Sequence, residues 1–211
     1  MPPPLTASRA QQIGALSTLM RELAVPASVL SSLLAHAEAV RTHAKRLGLV
    51  APGDVETIVS RHTADSLLFA LAQGPQAGER WVDVGTGAGF PGLVLAICWS
   101  ETWFTLVEPQ QKRAGFLEIQ CAELGLSNAE VIAAKAEMLP GGFDVAVARA
   151  LAEPALTLEA LVRLIEPRGT AIVAVGERAV APAGVDDVDV ARAGVDSPGR
   201  LFMIRRTPGE A

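Results

Sequence analysis

WVDVGTGAGFPG, residues 81–92, places four glycines (Gly85, Gly87, Gly89 and Gly92) within eight positions, directly behind a short apolar run that carries Asp83. Aromatic and β-branched residues giving way to glycines predict a buried strand that enters a loop. The backbone of such a loop can approach a ligand closely, since no Cβ intervenes. The next residues, PGLVLAICW, predict a helix with proline at its first position and an N-terminus offered to a negative group.

The pattern continues in both directions from this point. TWFTLVE (102–108) predicts a second strand and QQKRAGFLEIQCAELGL a second helix. A third strand lies within AEVIAAKAEML and a fourth is FDVAVARA (143–150). ALTLEALVRLI predicts a helix and GTAIVAVG (169–176) a fifth strand. Strand–helix alternation means parallel strands joined by right-handed crossovers, an α/β, Rossmann-like, doubly wound sheet. DDVDVARAGV and GRLFMIRRT, on either side of DSPG, predict an antiparallel C-terminal hairpin closing one edge. Upstream, apolar residues recur at three and four positions (Ile13, Leu16, Leu19, Met20, Leu23; then Val29, Leu30, Leu33, Leu34, Ala37, Val40). Two helices are expected there, separated at Pro26 with Ser28 as N-cap, and a third from about Val55 to Ala72. The expected organisation is an N-terminal helical extension, residues 1–72, and one sheet domain, residues 73–211.

A chain of 211 residues suits one α/β domain with a modest extension. No run approaches the eighteen or so apolar residues of a membrane span, and MPPPLTASRAQQ lacks a secretory layout, so a cytoplasmic protein is expected. Cys98 and Cys121 fall in helix-like patterns without metal spacing; reduced thiols and no metal site are expected. The net charge of −5 excludes a surface coated in positive potential. Basic residues do gather at the ends: Arg9, Arg21, Arg41, Lys45 and Arg46 in the first fifty residues, Arg200, Arg205 and Arg206 in the last dozen. Either a nucleic-acid partner meets these patches or both ends are merely solvated.

The glycine loop reads in two registers. Gly85, Gly87 and Gly89 form G-x-G-x-G, while Gly87, Gly89 and Gly92 satisfy the dinucleotide pattern G-x-G-x-x-G. Asp83 favours the first: a carboxylate there would repel a pyrophosphate but would face the cationic methionyl end of S-adenosylmethionine. Glu108, at the end of the second strand, suits paired ribose hydroxyls in either reading. Length points the same way, because a dehydrogenase needs a second substrate-holding region that this chain has little room for.

RHTADSL (61–67), VDVGTGAGFPGLVLAI (82–97), KRAGFLE (112–118), AEML (136–139), ARA (148–150) and RLFMIRR (200–206) together resemble the ribosomal small-subunit methyltransferase G family, also called glucose-inhibited division protein B. The resemblance covers roughly residues 45–206. It implies a class I S-adenosylmethionine-dependent methyltransferase that modifies N7 of a guanine in 16S rRNA, with the 30S subunit or its RNA as partner. The implied cofactor set is Asp83, Gly85, Thr86, Gly87, Gly89, Phe90, Glu108, the Ala136–Glu137 pair beside the adenine, and Arg149 at the mouth of the site. Arg61, Arg149 and Arg200 are the implied RNA contacts, and Arg149 is the one catalytic candidate. Two positions depart from the family: Val175 precedes Gly176 where a lysine is usual, and Gly48-Leu49-Val50 replaces Asn-Leu-Thr.

The chemistry is compatible. The end of the fourth strand, ARALAEP, lacks the Asn/Asp-Pro-Pro-aromatic turn used on exocyclic amines, and neither cysteine sits in a loop where a C5-directed nucleophile belongs. N7 of guanine has a free lone pair and no proton to lose, so alignment suffices without a general base. Arg149 could reach guanine O6, the methionyl carboxylate or a phosphate, or pair with Glu153 or Asp144 instead. His62, Asp65 and Ser66 share a helical face and read first as a clasp between the helices and the sheet. His36 and His43 read as lone residues on helix surfaces. A monomer is expected. The competing readings are a methyltransferase of the same fold acting on another RNA, a protein or a small molecule, and a non-catalytic cofactor-binding assembly factor.

Overall fold

The computed structural model describes residues 7–149 and 153–207. Its centre is a seven-stranded sheet in the order β3-β2-β1-β4-β5-β7-β6. The strands are β1 (Arg80–Val84), β2 (Trp103–Val107), β3 (Ala129–Ile132), β4 (Phe143–Arg149), β5 (Ile165–Val175), β6 (Asp186–Asp189) and β7 (Arg200–Arg205). The first five are parallel, and β7 and β6 close one edge antiparallel, as the tail of the sequence predicts. Strand order reverses between β1 and β4. Their carboxyl ends, the glycine loop and Arg149, therefore lie side by side at the point where such sheets bind ligands.

Strict alternation divides the sheet's two faces. Trp81 joins a core with Phe104, Leu106, Val145 and Ile172, covered by helices α1 (Arg9–Glu22), α2 (Leu30–Leu47), α3 (Ala64–Ala72), α4 (Gly92–Cys98) and α5 (Gln111–Glu123). Val82, Val84, Ala146 and Val173 face the other way, onto Leu158 and Leu161 of α6 (Pro154–Val162). Both faces are buried, which is why these strands read as apolar runs. α1 begins at a capping box in which Ser8 and Gln11 satisfy each other's backbone amides, and α2 ends at Gly48 in the left-handed region, φ +61°.

Local details depart from the sequence reading. Ser28 is no N-cap: a 3₁₀ turn (Ala27–Val29) leads into α2, and the chain is redirected at Pro26. Pro91, which follows a cis peptide bond, is the N-cap rather than the first residue of α4, which begins at Gly92. The single helix expected from Val55 to Ala72 is three pieces: a 3₁₀ segment (Pro52–Thr57), a π-helical turn (Ile58–Thr63) and α3. His36 is fully buried, because it follows Leu33 by three residues and precedes Val40 by four on α2's apolar stripe. No helix is long and apolar enough to cross a membrane, among the described residues.

Candidate functional site: two crevices at the strand ends

The glycine loop is wired almost entirely into the chain. Gly85 and Thr86 donate their amides to Val107 O (2.8 and 3.1 Å), and Gly89 and Phe90 donate to Thr86 O (2.9 and 3.0 Å). The Gly87 amide donates to Glu108 Oε2 (3.1 Å), whose other oxygen accepts from Gln110 N (2.8 Å). Glu108 is buried rather than a loose strand-end residue. Gly87, at φ +60°, would carry a Cβ into open space, with nothing nearer than Gly85 O at 3.9 Å. Its bareness serves no packing need within the protein.

Asp83 lies beneath this loop. Its side chain is buried and Oδ2 accepts from Gly92 N at 2.7 Å. A Cβ on Gly92 would stand 2.7 Å from Asp83 Cβ and 2.5 Å from Leu106 Cδ2, so only glycine permits the approach. Burial pushes the Asp83 carboxyl up to about 6, against the lowering pull of Thr86 and the Gly92 amide. Two expectations are corrected here. Asp83 does not present its carboxylate to an open crevice, and the start of α4 is not open to a negative ligand, because the chain's own carboxylate already caps it. A pyrophosphate has no helix terminus to bind.

One crevice, of about 410 Å³, runs between Gly85, Val107 and Pro109, the 3₁₀ turn Ala136–Met138 and Leu156 of α6. It brings together Gly85, Ala136 and Glu137, which the sequence spreads over fifty residues. Its walls are chiefly apolar, with Glu137 at the rim; Gly87, Gly89, Phe90 and Glu108 do not line it.

The second, of about 380 Å³, gathers all three candidate RNA arginines, Arg61, Arg149 and Arg200, around Asp65, His62 and Asp196. Each arginine has an acidic partner. Arg61 pairs with Asp54 (3.0 Å) and Asp196 (3.6 Å), and Arg200 with Asp187. Arg149 Nη1 meets Asp65 Oδ2 at 2.8 Å, with both side chains mostly buried. Neither Glu153 nor Asp144 is its partner. Glu153 caps α6 at Leu156 N, and Asp144 accepts from Arg80 N.

Arg149 Nη2 also lies 2.9 Å from His62 Nδ1. A guanidinium can only donate, so Nδ1 accepts and the ring proton sits on Nε2. That nitrogen is 3.2 Å from Asp54 Oδ2, within ion-pairing distance but outside hydrogen-bond geometry. Burial and the adjacent guanidinium hold His62 down at about 4, which keeps the ring neutral at physiological pH. The expected clasp is present as contacts: His62 and Asp65 hold the end of β4, while Ser66 Oγ donates to His62 O (2.7 Å).

Phe90 is buried behind two side chains of the second crevice. His62 stacks on it (5.2 Å, 24°), the Arg149 guanidinium lies 5.3 Å from its centre, and His36 of α2 is 5.3 Å away. His36 Nδ1 contacts Gln120 Oε1 at 3.2 Å, and burial lowers its pKa to about 4. His36, Asp54 and Asp196 are site residues that motif reading passed over. Only His36 left a signal, its position on the apolar stripe. Cys98 and Cys121 are buried and their thiols are pushed up to about 12 and about 11, so both are inert.

A family profile described as rRNA small subunit methyltransferase G matches residues 29–192. Among curated proteins, "Ribosomal RNA small subunit methyltransferase G" of Sorangium cellulosum is 37% identical over 139 residues, covering 63% of this chain and 58% of that protein. The protein of the same name from Chlorobium limicola is 34% identical over 141 residues, covering 66% and 64%. The chain thus spans about three fifths of the length of these two relatives. Among solved structures, a mutant of MtNAS in complex with S-adenosylmethionine superposes with a TM-score of 0.59 at 17% identity, over 92% of this chain and 78% of that one, which supports the fold alone. With 164 of its 211 residues matched by that profile, the chain belongs to the rRNA small subunit methyltransferase G family.

Proposed function

We propose that this protein transfers a methyl group from S-adenosylmethionine to N7 of a guanine in 16S rRNA. The observation that carries the reading is the pairing of the two crevices at the β1/β4 switch point. One is a mostly apolar slot beside bare main chain, and the other is ringed by arginines. The residues fit the cofactor. The slot between Val107, Ala136 and Leu156 suits an adenine ring. Glu108, held by two backbone amides, has lone pairs left for ribose hydroxyls, and Gly87 leaves room where a side chain would collide with the ligand.

S-adenosylmethionine supplies an electrophilic methyl group, and the chain's part is alignment. Asp83 and Gly92 fix the loop from below, Phe90 packs its far end, and Arg149 marks the mouth where the acceptor enters. No general base is required, since guanine N7 attacks through a free lone pair. The one histidine at the mouth is a poor base, with Nδ1 already accepting from Arg149 and a pKa near 4. In this reading the protein acts in the cytoplasm as a monomer on the 30S subunit or its RNA, without a metal. Residues 1–72 serve as a helical extension to a methyltransferase domain spanning 73–211.

The test is transfer of label from S-adenosylmethionine to 30S subunits, naked 16S rRNA and whole-cell extract, followed by mass mapping of the modified base. A methyl on a guanine N7 of 16S rRNA is the expected product. Label found only in protein, in small molecules or on another RNA would sink the proposal in favour of a relative with a different acceptor. Cofactor binding without turnover on any RNA would favour a non-catalytic assembly factor.

A further inference from the structure

The three arginines around the second crevice differ in their partnerships. Arg61 is about half exposed, and its carboxylates, Asp54 and Asp196, are reached by solvent. Arg200 is only 23% exposed and is held more firmly, donating to both oxygens of Asp187 and through Nη1 to the carbonyls of Gly176, Glu177 and Ala179, whereas the Arg61 pairs face water. Exposed pairs are screened and readily exchanged, so a phosphate can displace the aspartates. Arg149 and Asp65 are only 16% and 10% exposed. Pulling apart a buried pair strands a charge, so Asp65 will not release its guanidinium to a phosphate.

Arg149 is also fixed in orientation. Nη1 donates to Asp65 Oδ2 and, at 3.4 Å, to Arg61 O; Nη2 donates to His62 Nδ1; and the guanidinium lies over Phe90. Of the five N–H donors of an arginine, the Nε–H and one Nη2–H have no partner among the described residues. The Arg61 carbonyl and His62 lie in the π-helical turn Ile58–Thr63, and Asp65, three residues past His62, shares the face turned to the same guanidinium.

Resting on the methyl-transfer reading, we propose that Asp65 and His62 are positioning residues that hold Arg149 as a charge-neutralised, oriented donor for the acceptor base, while the backbone phosphate is met by Arg61. The two remaining N–H groups suit the lone pairs of guanine O6 and leave N7 free to attack. The neutralisation has a chemical purpose. N7 becomes positive as the methyl group is transferred, and a bare guanidinium alongside would oppose that charge. Paired with Asp65, Arg149 contributes direction with little net charge.

The test uses the full chain with the rRNA substrate that the wild type methylates, plus binding of a 16S rRNA fragment at 50–300 mM KCl. Loss of one phosphate contact makes the slope of log affinity against log salt shallower by roughly 0.7–0.9. Arg61→Gln is expected to show that loss and a raised KM for RNA. Arg149→Gln should keep the wild-type slope while kcat falls at least about tenfold. Asp65→Asn gives a signature that a structural prop would not: kcat falls while the slope steepens by roughly 0.7–0.9, because the freed guanidinium now captures a phosphate. His62→Gln, which keeps an acceptor for Nη2, should retain most of kcat, and His62→Ala should not.

The proposal is overturned if Arg149→Gln loses the same slope as Arg61→Gln, or if Asp65→Asn turns over within about twofold of wild type. It is equally overturned if Asp65→Asn loses cofactor affinity and thermal stability together with kcat, since Asp65 would then only hold the fold. A wild type that methylates no rRNA sinks the proposed function instead, and the two slopes still decide whether Arg149 meets a phosphate.

Discussion

The two crevices are built by opposite means. The first crevice has apolar walls set beside a loop of bare main chain, which it meets at Gly85. Its loop, Gly85 to Gly92, is contiguous, and its hydrogen bonds run to the neighbouring strand β2 and to Glu108 just past it. The arginine crevice is made of side chains from Asp54, Arg61, Asp65, Arg149, Asp196 and Arg200, and two of its ion pairs, Arg149–Asp65 and Arg61–Asp196, join parts of the chain more than eighty residues apart. Backbone geometry tolerates little change and announces itself in the sequence. Side-chain pairings can be exchanged one at a time and leave almost no local trace.

The strongest way to separate the two is Gly87→Asp. Aspartate tolerates a φ of +60°, and the space beyond the Cα is open, so the chain should fold while S-adenosylmethionine affinity falls by at least about a hundredfold. Calorimetry showing unchanged affinity would mean that the ligand does not lie on this loop. Glu108→Ala comes next. Removing the carboxylate leaves the Gly87 amide unpaired and takes away the expected sugar contact, so affinity should weaken by about ten- to a hundredfold. RNA binding should survive both changes, since neither residue lines the arginine crevice.

Acid should act on the packing around Phe90, where His36 and His62 meet. His36 and His62 are held at about 4 in the folded chain and return to about 6.5 on unfolding. Between those values the unfolded chain binds more protons, so stability falls as pH drops from 6.5 toward 4. Near pH 5 the loss is about 2 kcal/mol for each histidine. Asp83 runs the other way: its folded value of about 6 lies above its ordinary 3.8, so its cost to folding grows as pH rises through that window and persists above it. Melting temperatures measured from pH 7.5 to 4.5 should fall on the acid side for wild type and fall less for His36→Gln. A flat profile would show that neither imidazole is protected from water. The smallest effect belongs to the rim of the second crevice. Asp196→Asn breaks one exposed contact to Arg61 and should move the melting temperature by no more than about 2 °C.

The same contrast explains how much was legible. Alternating apolar runs and glycines revealed the sheet, its parallel strands and the closing hairpin, because period and turn chemistry are local properties. Asp83, Gly87 and Glu108 stand out as candidates for that reason, though the burial of Asp83 under the loop does not: its capping of Gly92 depends on how closely α4 approaches β1. Proximity in sequence points to Glu153 or Asp144 as the partner of Arg149, and it misleads, since both serve backbone amides instead. Asp65 becomes the partner only after the helices fold onto the sheet. The burial of His36 was within reach, since the spacing of its apolar neighbours already put it inside.

The widened turn at Ile58–Thr63 makes chain length here as consequential as composition. Deleting a single residue within it would restore ordinary winding and rotate the upstream 3₁₀ segment by about 100° relative to α3. Asp54, which now faces both Arg61 and His62, would then point elsewhere, with every side chain of the site still present. The segment behaves like the phase setting of a gear train, in which one missing tooth puts intact parts out of mesh.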